Sequence, residues 1–374
     1  MISRKTYLEI DLSAYESNIR YFQRMLGHSN IMAVVKSDGY GHGAVKIAKT
    51  AVDCGVDKLA VAFVEEGVEL RKAGIDVPIL VMNYFTPEYV NLAAENNLAI
   101  TIFSEEHAKS LLQAIKGNQT LRTHVNVDTG IRRVGQTPEN AVKLIEFLKN
   151  QKNINLEGIY THFAVADEQN PDFSLKQVEL FEKLLSIIEK QGIDIKEKHI
   201  SNSAGALRFN QSWCDYVRLG IASYGMQPSK EFEIAELRPV LSWYSTVSYV
   251  KKIKPGDSIS YGRTYIASTE KTVATIPVGY GDGYNRGLSN KGNVLVKGQK
   301  CPVLGRVCMD QLVADVSHLN EEPKPGDEVV LIGKQGENNI SAEEIAGLLN
   351  TINYEVTCAI TKRVPRIYKR KGSF

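Results

Sequence analysis

The 374-residue sequence predicts an N-terminal (β/α)8 TIM-type barrel followed by a C-terminal, mainly-β domain. Between about residues 30 and 225, eight short apolar runs alternate with amphipathic stretches, as they do in a parallel barrel. After about residue 236, β-branched segments bounded by turn residues replace that pattern. The chain is too long for one ordinary core, so we expect two domains, 1–235 and 236–374. A short N-terminal segment is expected to pack on the second domain.

The eight predicted barrel strands lie in short runs of six to ten residues, most of them rich in apolar side chains. In the longest helical stretch between them, Phe181, Leu184 and Ile188 recur with helical spacing. The strand runs are 31–36, 58–63, 78–83, 98–103, 121–129, 156–164, 198–203 and 216–225, and the helical stretches include 65–73, 105–116, 138–150 and 174–191.

A doubly wound sheet is the alternative architecture for alternating strands and helices. Such sheets usually carry GxGxxG after the first strand, and the sequence contains neither this motif nor a Walker A motif. The glycines of GYGHG, residues 39–43, are spaced two apart and do not form the dinucleotide fingerprint. The pattern therefore favours the barrel.

The predicted second domain contains short strands separated by turns. Its one predicted helix begins at ISAEEIAGLLN, where Ser341 and Glu344 have the spacing of a capping box. Turns are predicted at the two PGD sequences and at GDG 281–283, and strands are predicted within 243–253, 271–278, 292–298, 311–316 and 327–333.

Charge and cysteine content narrow the class of protein. The 45 basic and 43 acidic residues nearly balance, so there is no electrostatic basis for binding nucleic acid or a membrane surface. The basic segment 362–371 is interpreted as a solvated end. Five scattered cysteines without a CxxC pair predict neither a disulfide framework nor a metal site. No signal-peptide or membrane-spanning pattern is present, so a cytoplasmic location is expected.

Candidate site residues, most of them polar, lie where the predicted strands end, which is the face of a barrel that carries the active site. Each has an ordinary explanation when taken alone: a lysine that reaches water, a core histidine, a helix cap or a structural ion pair. Their coincidence at one barrel mouth points instead to a functional site. They are Lys36, Tyr40, Asp128, Thr129, Arg133, His162, Asn202, Ser203, Arg218, Gly220 and Ile221.

Lys36 ends the first predicted strand and is followed by a glycine-rich loop. A partly desolvated lysine can act as a nucleophile or a base. Ser203, Gly220 and Ile221 follow strands seven and eight, where barrels often bind phosphate. A lysine that faces a phosphate cup suggests a pyridoxal phosphate Schiff base. The residues by themselves therefore lead to a barrel enzyme with a phosphorylated cofactor.

Nine motifs in order along the whole chain closely resemble those of bacterial alanine racemases, the fold-type III pyridoxal phosphate enzymes. The resemblance implies racemisation of L-alanine to D-alanine, which supplies D-alanine for cell-wall peptidoglycan. The motifs are AVVKSDGYGHG (33–43), DTGIRRVG (128–135), EGIYTHFAVADE (157–168), NSA (202–204), VRLGIASYG (217–225), ISYGRTY (259–265), PVGYGDGY (277–284), GRVCMDQ (305–311) and NYEV (353–356).

The resemblance also implies catalytic roles. Lys36 matches the lysine that holds pyridoxal 5′-phosphate and acts as the base on D-alanine, and Tyr261 matches the base on L-alanine. In the family, the tyrosine and Met309 come from the partner subunit, so a homodimer with shared active sites is implied. A hydrogen-bonded chain from Tyr261 through His162 to Arg218 would favour the phenolate form of the tyrosine.

The remaining matched residues bind cofactor and substrate. Arg218 matches the residue that faces the ring nitrogen of the cofactor, and an arginine leaves that nitrogen unprotonated. Arg133 and the Met309 backbone match contacts to the substrate carboxylate, and Tyr280 is interpreted as a wall residue. The residues that match the surroundings of the phosphate are Tyr40, Ser203, Gly220, Ile221 and Tyr354.

One departure from the family pattern lies near Arg133. The family often has a carbamylated lysine two residues before DTG, whereas this chain has Asn126. Asparagine cannot carry a carbamate, so a bound anion such as chloride is one hypothesis for the missing charge. A direct hydrogen bond between Asn126 and Arg133 is the other. The loop also reads KSDGYG where many members have KANAYG.

Three other functions remain to be weighed. A racemase for serine or for several amino acids differs only in pocket volume, which the sequence does not resolve. A basic amino-acid decarboxylase of the same fold would pair the ring nitrogen with a carboxylate and would lack the tyrosine of SYGRTY. A non-catalytic cofactor carrier would end before the β-domain.

Overall fold

The computed structural model describes residues 4–209 and 214–370. Contacts within the chain divide it into two compact units. The barrel unit comprises Glu16–Gly39 and Ala44–Leu237. The β unit comprises the residues before Glu16, the short segment Tyr40–Gly43 and the chain from Arg238 onward. The last residues of the predicted second domain, 371–374, lie outside the described residues, as does the end of the basic segment at Lys371.

Eight parallel strands form the barrel sheet, and each predicted run contains one of them or most of one. Neighbours pair in chain order, and the eighth strand returns to pair with the first. Between the seventh and eighth strands, the N–H groups of Asp215 and Arg218 donate to the carbonyls of Lys198 and Ser201, at 2.9 and 3.0 Å. The predicted barrel is therefore confirmed. Its strands are Asn30–Val34, Lys58–Val61, Ile79–Val81, Leu98–Ile102, Leu121–Asn126, Ile154–Tyr160, Glu197–His199 and Tyr216–Leu219.

Helices follow the strands, and the four predicted helical stretches are confirmed. Local capping explains where they begin, since the Ser104 hydroxyl accepts the His107 N–H and Thr137 caps a helix that opens with Pro138. The α-helices are Leu12–Leu26, Ala44–Asp53, Val64–Lys72, Val90–Glu95, Glu105–Ala114, Pro138–Lys149, Asp172–Lys190 and Ser203–Arg208, with 3₁₀ turns at Pro87–Tyr89 and Ile221–Tyr224.

The β unit contains three sheets. The largest has the strands Tyr7–Asp11, Leu241–Thr246, Asn293–Val296, Gln299–Pro302, Glu328–Gln335, Asn338–Ile340 and Arg366–Lys369. A second sheet has Tyr249–Ile253, Lys271–Ile276 and Leu312–Asp315, and a third has Ser258–Ile259 and Tyr265–Ile266.

One predicted run of the β unit, 243–253, is two strands in different sheets. The break falls at Val247 and Ser248, whose N–H groups donate to the carbonyls of Asp327 and Thr275, at 2.8 Å each. Asp327 directly precedes a strand of the largest sheet, and Thr275 lies in a strand of the second sheet. The chain therefore passes from one sheet to the other at this point. A continuous β pattern in the sequence does not reveal such a change, because both strands have the same local preferences.

The N-terminal strand Tyr7–Asp11 lies inside the largest sheet of the β unit. It pairs antiparallel with Leu241–Thr246 and parallel with Arg366–Lys369. Elsewhere in this unit the helix Ala342–Leu349 has half of its predicted capping box. The Ser341 hydroxyl accepts the Glu344 N–H at 3.1 Å, but the Glu344 carboxylate binds Lys300 at 2.8 Å.

The β unit is completed by the α-helix Asn353–Cys358 and by 3₁₀ turns at Tyr261–Arg263, Tyr280–Asp282 and Arg286–Leu288. Across the described ranges of both units, none of the helices has the length and hydropathy needed to traverse a bilayer. Within those same ranges, no three histidine, cysteine or acidic side chains are grouped as a metal site would require.

Candidate active site

Lys36 lies two residues beyond the first barrel strand and is half-buried. The three residues after it, Ser37, Asp38 and Gly39, have left-handed backbone angles with φ of 55, 54 and 60°. Tyr40 continues the run at 53°. Each non-glycine residue in this region costs about 1 kcal/mol or more. Such strain persists only where the surrounding structure imposes it, and it is concentrated at functional sites.

Side-chain acceptors hold the strained turn in place. Glu66 accepts the Ser37 N–H at 2.6 Å, and Asp38 accepts the Ala44 N–H at 3.0 Å. Aspartate tolerates left-handed angles better than most residues, so Asp38 suits its position. The lysine is therefore presented by a turn whose shape is determined by local carboxylates.

Glycines such as those of GYGHG allow tight turns and a close approach of the backbone to other groups. All three have positive φ, with 60, 83 and 95° at Gly39, Gly41 and Gly43. The close approach, however, is to the chain itself: a Cβ on Gly41 would collide with the Thr357 carbonyl, and one on Gly43 with the Tyr368 hydroxyl. Gly41 and Gly43 are therefore required for packing of the β unit.

Arg218 is the most heavily hydrogen-bonded residue among the predicted barrel-site residues. It is 2% exposed and lies near the carboxyl end of the eighth strand. One terminal nitrogen donates to the carbonyls of Thr161 and Ile200, at 2.7 and 3.0 Å, and to His162 Nδ1 at 3.0 Å. The other donates to His199 Nδ1 at 2.7 Å and to the His199 carbonyl at 3.2 Å. Burial lowers the pKa of Arg218 to about 10, so the guanidinium keeps its charge at neutral pH.

His162 is consequently neutral and has one tautomer. A guanidinium can only donate, so His162 Nδ1 must accept and Nε2 carries the proton. Burial places the pKa of His162 well below its ordinary value, and the positive charges of Arg218, Arg133 and Lys36 lower it further. Of these three basic residues, Arg218 contacts the imidazole directly.

Ser203 was open to interpretation as a helix cap, but the structure assigns that role to its neighbour. The Asn202 side chain accepts the Gly205 N–H at 2.9 Å and caps Ser203–Arg208. The Ser203 hydroxyl instead accepts the N–H groups of Gly220 and Ala222, at 3.1 and 3.3 Å. The Ser203 oxygen, which accepts from two backbone N–H groups, thereby joins the segment after strand seven to the segment after strand eight. Ile221 lies between the two donors and is buried.

The loop after the fifth strand is closed on itself and anchored to the next strand. The N–H of Asp128 donates to the Gln136 carbonyl at 2.7 Å, and the Asp128 carboxylate accepts the Gly130 N–H at 2.9 Å. Thr129 and Thr161 share a hydroxyl–hydroxyl contact of 2.7 Å. Arg133 extends from this loop with an exposed side chain.

Asn126 lies at the base of the same loop and is 5% exposed. Its side chain packs against Gly135, where a Cβ would collide with the amide oxygen. Burial raises the pKa of the Tyr160 hydroxyl, and the Asn126 amide is among the groups that oppose this effect. Among the described residues, the hydrogen bonds include none between Asn126 and Arg133.

Tyr261 and Met309, both predicted site residues, lie on two loops of the β unit that contact each other. Their side chains are 72% and 52% exposed. The Ser260 hydroxyl donates to the Arg306 carbonyl at 2.6 Å and lies 3.1 Å from Cys308 Sγ. Residues on both sides of Tyr261 have positive φ, including Ser260 at 63°. The tyrosine therefore projects from a tight, tethered turn.

The other two tyrosines predicted for the site, Tyr40 and Tyr354, also belong to the β unit. Their rings lie 5.9 Å apart, centre to centre, and are tilted by 55°. Tyr40 is buried and Tyr354 is half-buried. Tyr280 is 42% exposed, and its N–H donates to the Cys308 carbonyl at 3.0 Å, which joins its loop to that of Met309.

Sequence reasoning missed several buried polar residues around these groups. Gln177 is fully buried and joins the loops that follow strands five and six. Its only signal in the sequence is a glutamine on the apolar face of a helix. His124, His199 and Tyr160 lie beneath Arg218, and Tyr160 stacks on His199 at 4.8 Å. His199 stands within a predicted strand run, but nothing in the run distinguishes it from a core histidine.

Two family profiles together match nearly the whole chain. The profile described as "Alanine racemase, N-terminal domain" matches residues 10–228, and "Alanine racemase, C-terminal domain" matches residues 240–368. The alanine racemase of Halothermothrix orenii is 46% identical over 99% of this chain and 98% of its own length. Alanine racemase 2 of Bacillus subtilis is 42% identical over 99% of this chain and 96% of its own length.

Solved structures show the same similarity. The alanine racemase of Bacillus anthracis with bound L-Ala-P superposes with a TM-score of 0.95 and 40% identity, covering 100% of this chain and 97% of that one. The alanine racemase of E. faecalis superposes with a TM-score of 0.92 and 38% identity, covering 98% of each chain.

Fold and site together define an enzyme built from a barrel and a β-domain, with a neutral, arginine-bound histidine at the barrel mouth. The chain belongs to the alanine racemase family. Its activity is that of an alanine racemase, an isomerase that acts on an amino acid.

Proposed function

We propose that this enzyme interconverts L- and D-alanine with pyridoxal 5′-phosphate and two bases, Lys36 and Tyr261. The observation that carries the proposal is the environment of Arg218. Among the described residues no carboxylate contacts this buried guanidinium, and its neighbours are carbonyls and neutral imidazoles. A permanently charged donor in this position leaves a pyridine nitrogen unprotonated.

The residues present fit pyridoxal phosphate. The Ser203 hydroxyl and the backbone beside it are suited to a phosphate, with Gly220, Ile221, Tyr40 and Tyr354 as its further proposed contacts. The Arg218 side chain donates five hydrogen bonds, all from its two terminal nitrogens. Its Nε–H is the donor proposed for the ring nitrogen. When bound, pyridoxal phosphate acts as an electron sink that acidifies the α-carbon of an amino acid.

Racemisation requires a proton to leave one face of the α-carbon and another to arrive on the opposite face. In the proposal the Lys36 amine serves one face, and Tyr261 of the partner subunit serves the other. A tyrosine hydroxyl with an ordinary pKa of about 10 is a poor base near neutrality. The Nε2–H of His162 is the donor that would stabilise its phenolate, since Arg218 occupies Nδ1.

Substrate binding is assigned to Arg133 and to the Met309 N–H, both directed at the amino-acid carboxylate. For the charge that a carbamylated lysine supplies in relatives, we propose a chloride beside Asn126 and Arg133. The Arg133 side chain is exposed, and Asn126 supplies a neutral amide where many relatives have a charged group, which supports an anion at this position. Anomalous diffraction from bromide-soaked crystals tests it: a peak beside Arg133 is expected, and a direct bond between Asn126 and Arg133 without a peak would contradict it.

A homodimer with shared active sites is the proposed assembly. Tyr261, Met309 and Tyr280 are large side chains on adjoining loops, and each is at least 42% exposed in the single chain. Exposed apolar and aromatic groups of this kind mark interaction surfaces. The boundary of the two domains is proposed near residue 235, and the cellular role is D-alanine supply for peptidoglycan in the cytoplasm.

The test of the proposed function is conversion of L-alanine and L-serine to their D-forms by purified protein with added pyridoxal phosphate. We expect racemisation of alanine at the higher kcat/KM, together with visible absorption from the bound cofactor. A colourless, inactive protein would overturn the proposal. Equal or faster turnover of serine would favour the alternative, a serine or broad-specificity racemase, since one hydroxyl changes pocket discrimination little.

A further inference from the structure

The interior of the barrel contains a continuous line of polar side chains beneath Arg218. Barrel interiors are usually filled by layers of branched apolar residues. Here Arg218, His199, His124, Glu197 and Lys58 follow one another instead, and all but Glu197 are at most 2% exposed. Lys58 and Glu197 begin the second and seventh strands, so the line ends at the amino-terminal end of the barrel, opposite the mouth.

The direction of each hydrogen bond in this line is determined by its two ends. Arg218 donates to His199 Nδ1 at 2.7 Å, so Nδ1 carries no proton. His199 Nε2 then donates to His124 Nδ1 at 3.0 Å. His124 Nε2 lies 3.3 Å from a Glu197 carboxylate oxygen, which can only accept. This last pair is close enough for electrostatic attraction but does not meet hydrogen-bond geometry.

Both histidines must be neutral for this arrangement to hold. Burial lowers the pKa of His199 well below its ordinary value, and the charge of Arg218 lowers it further. Burial also lowers the pKa of His124, although Glu197 opposes that effect. A neutral histidine has two tautomers, and only the Nε2–H tautomer of His199 presents a lone pair to Arg218.

Lys58 keeps Glu197 in the form that can only accept. Its ammonium contacts both carboxylate oxygens and lies 5.0 Å from the centre of the Tyr216 ring. Burial alone would raise the pKa of Glu197, but His124 and Lys58 together bring it down to about 2. The carboxylate is therefore ionised at every pH at which the enzyme would work.

A buried ion pair is weak evidence for stability, because apolar residues of similar size often serve as well. Its relation to the line of histidines is more specific. We propose that Glu197 and Lys58 are positioning residues for Arg218, which determine from the far end of the barrel where the protons of His124 and His199 lie. The inference rests on the proposed role of Arg218 toward the cofactor, but the proton positions can be measured without reference to that role.

The first test is ¹⁵N NMR of the holoenzyme labelled only at histidine, since the chain has seven histidines. We expect His124 and His199 to be neutral and protonated at Nε2. An Nδ1–H tautomer or an imidazolium at either residue would overturn the inference. This result does not depend on racemase activity, so a failure of the proposed function would be recognised separately.

The second test replaces the ion pair with apolar residues in Lys58→Met/Glu197→Leu. We expect a folded enzyme in which His124, without an acceptor at Nε2, shows both tautomers, kcat falls about 10-fold with little change in KM, and the absorption of the bound cofactor shifts. Glu197→Gln, which keeps an acceptor oxygen for His124, should restore the single tautomer and most of kcat. It also provides the comparison if the double variant does not fold.

Arg122→Met/Glu157→Leu is the matched control. This pair is 2.9 Å apart at the same end of the barrel, with side chains 21% and 17% exposed, and it lies outside the line. An equal loss of kcat in the control, or an unchanged His124 tautomer in Lys58→Met/Glu197→Leu, would show that the first pair has only a structural role.

Discussion

Arg218 and His162 illustrate how one buried residue determines the chemistry of the next. The guanidinium cannot give up its proton, so the imidazole that accepts from it stays neutral and presents Nε2–H on its other side. A neutral histidine held in this way donates a hydrogen bond but does not take up or release a proton. Its proposed task is therefore to stabilise the phenolate of Tyr261.

Tyr261→Phe should lower alanine racemisation by roughly 10²- to 10⁴-fold, because it removes one of two proposed bases. In D₂O the variant should still exchange the α-proton of D-alanine through Lys36, whereas exchange from L-alanine should be lost. Proton NMR of each enantiomer measures both effects. Tyr249→Phe is the control, since Tyr249 is also an exposed tyrosine of the β unit, at 59%. Loss of exchange from both enantiomers would contradict the assignment of faces.

Two loops at the mouth of the barrel are joined by one side chain, that of Gln177. Gln177, in the helix Asp172–Lys190, accepts the Ala164 N–H at 2.9 Å and donates to the His162 carbonyl at 2.9 Å and the Thr129 hydroxyl at 3.1 Å. The loops after strands five and six are thereby held to the same helix. The shape of the mouth depends on this buried amide.

Gln177→Leu should lower the free energy of unfolding by about 1–3 kcal/mol, because it leaves buried backbone groups without partners. Urea unfolding followed by circular dichroism measures the change. Gln191→Leu provides the comparison, since Gln191 is an exposed residue at the end of the same helix. A stability loss no greater than that of Gln191→Leu would show that the loops are held by other contacts.

At the scale of the whole molecule, buried neutral histidines make stability depend on pH. Burial lowers the pKa of His107 to about 4, and it also lowers the pKa of His124, His162 and His199. The unfolded chain binds protons at these histidines below about pH 6.5, whereas the folded chain does not. Their contribution to stability is therefore complete above pH 6.5 and is lost as the pH falls toward 4.

His107→Phe isolates one part of this dependence. The imidazole lies among Tyr84, Phe85 and Phe103, and neither ring nitrogen has a hydrogen-bond partner among the described residues. Phenylalanine should keep the packing and make the loss of stability between pH 7 and 5 less steep. Thermal unfolding at both pH values measures it. His318→Phe, at an exposed histidine, should leave the slope unchanged, and an equal change in both variants would contradict the interpretation.

The proposed shared active site predicts complementation between two inactive variants. In a mixed dimer of Lys36→Ala and Tyr261→Phe chains, one site lacks both bases and the other has both. Random pairing should therefore restore about one quarter of the activity of the unsubstituted dimer, since about half of the dimers are mixed and each has one complete site. Activity of refolded mixtures measures this. Recovery no greater than the mean of the two variants would place both bases in one chain.

Much of the architecture was predictable because strands and helices depend on local periodicity. Each of the eight barrel runs contains a strand or most of one, and the residues near their carboxyl ends include Lys36, His162 and Arg218. Motifs then identified the family from residues that are close together in sequence. The division of 243–253 into strands of two sheets was not predictable, because both halves have the same preference for β structure.

Sequence alone determined which elements form, in what order, and which polar residues stand at the barrel mouth. Tertiary structure decided which of those residues touch: that Asn202 rather than Ser203 caps the helix, and that Arg218 rests on two histidines. The contact between His124 and His199 joins residues 75 apart in sequence, and that between Lys58 and Glu197 joins residues 139 apart. Such contacts depend on how the closed sheet brings distant strands together, which no local pattern records.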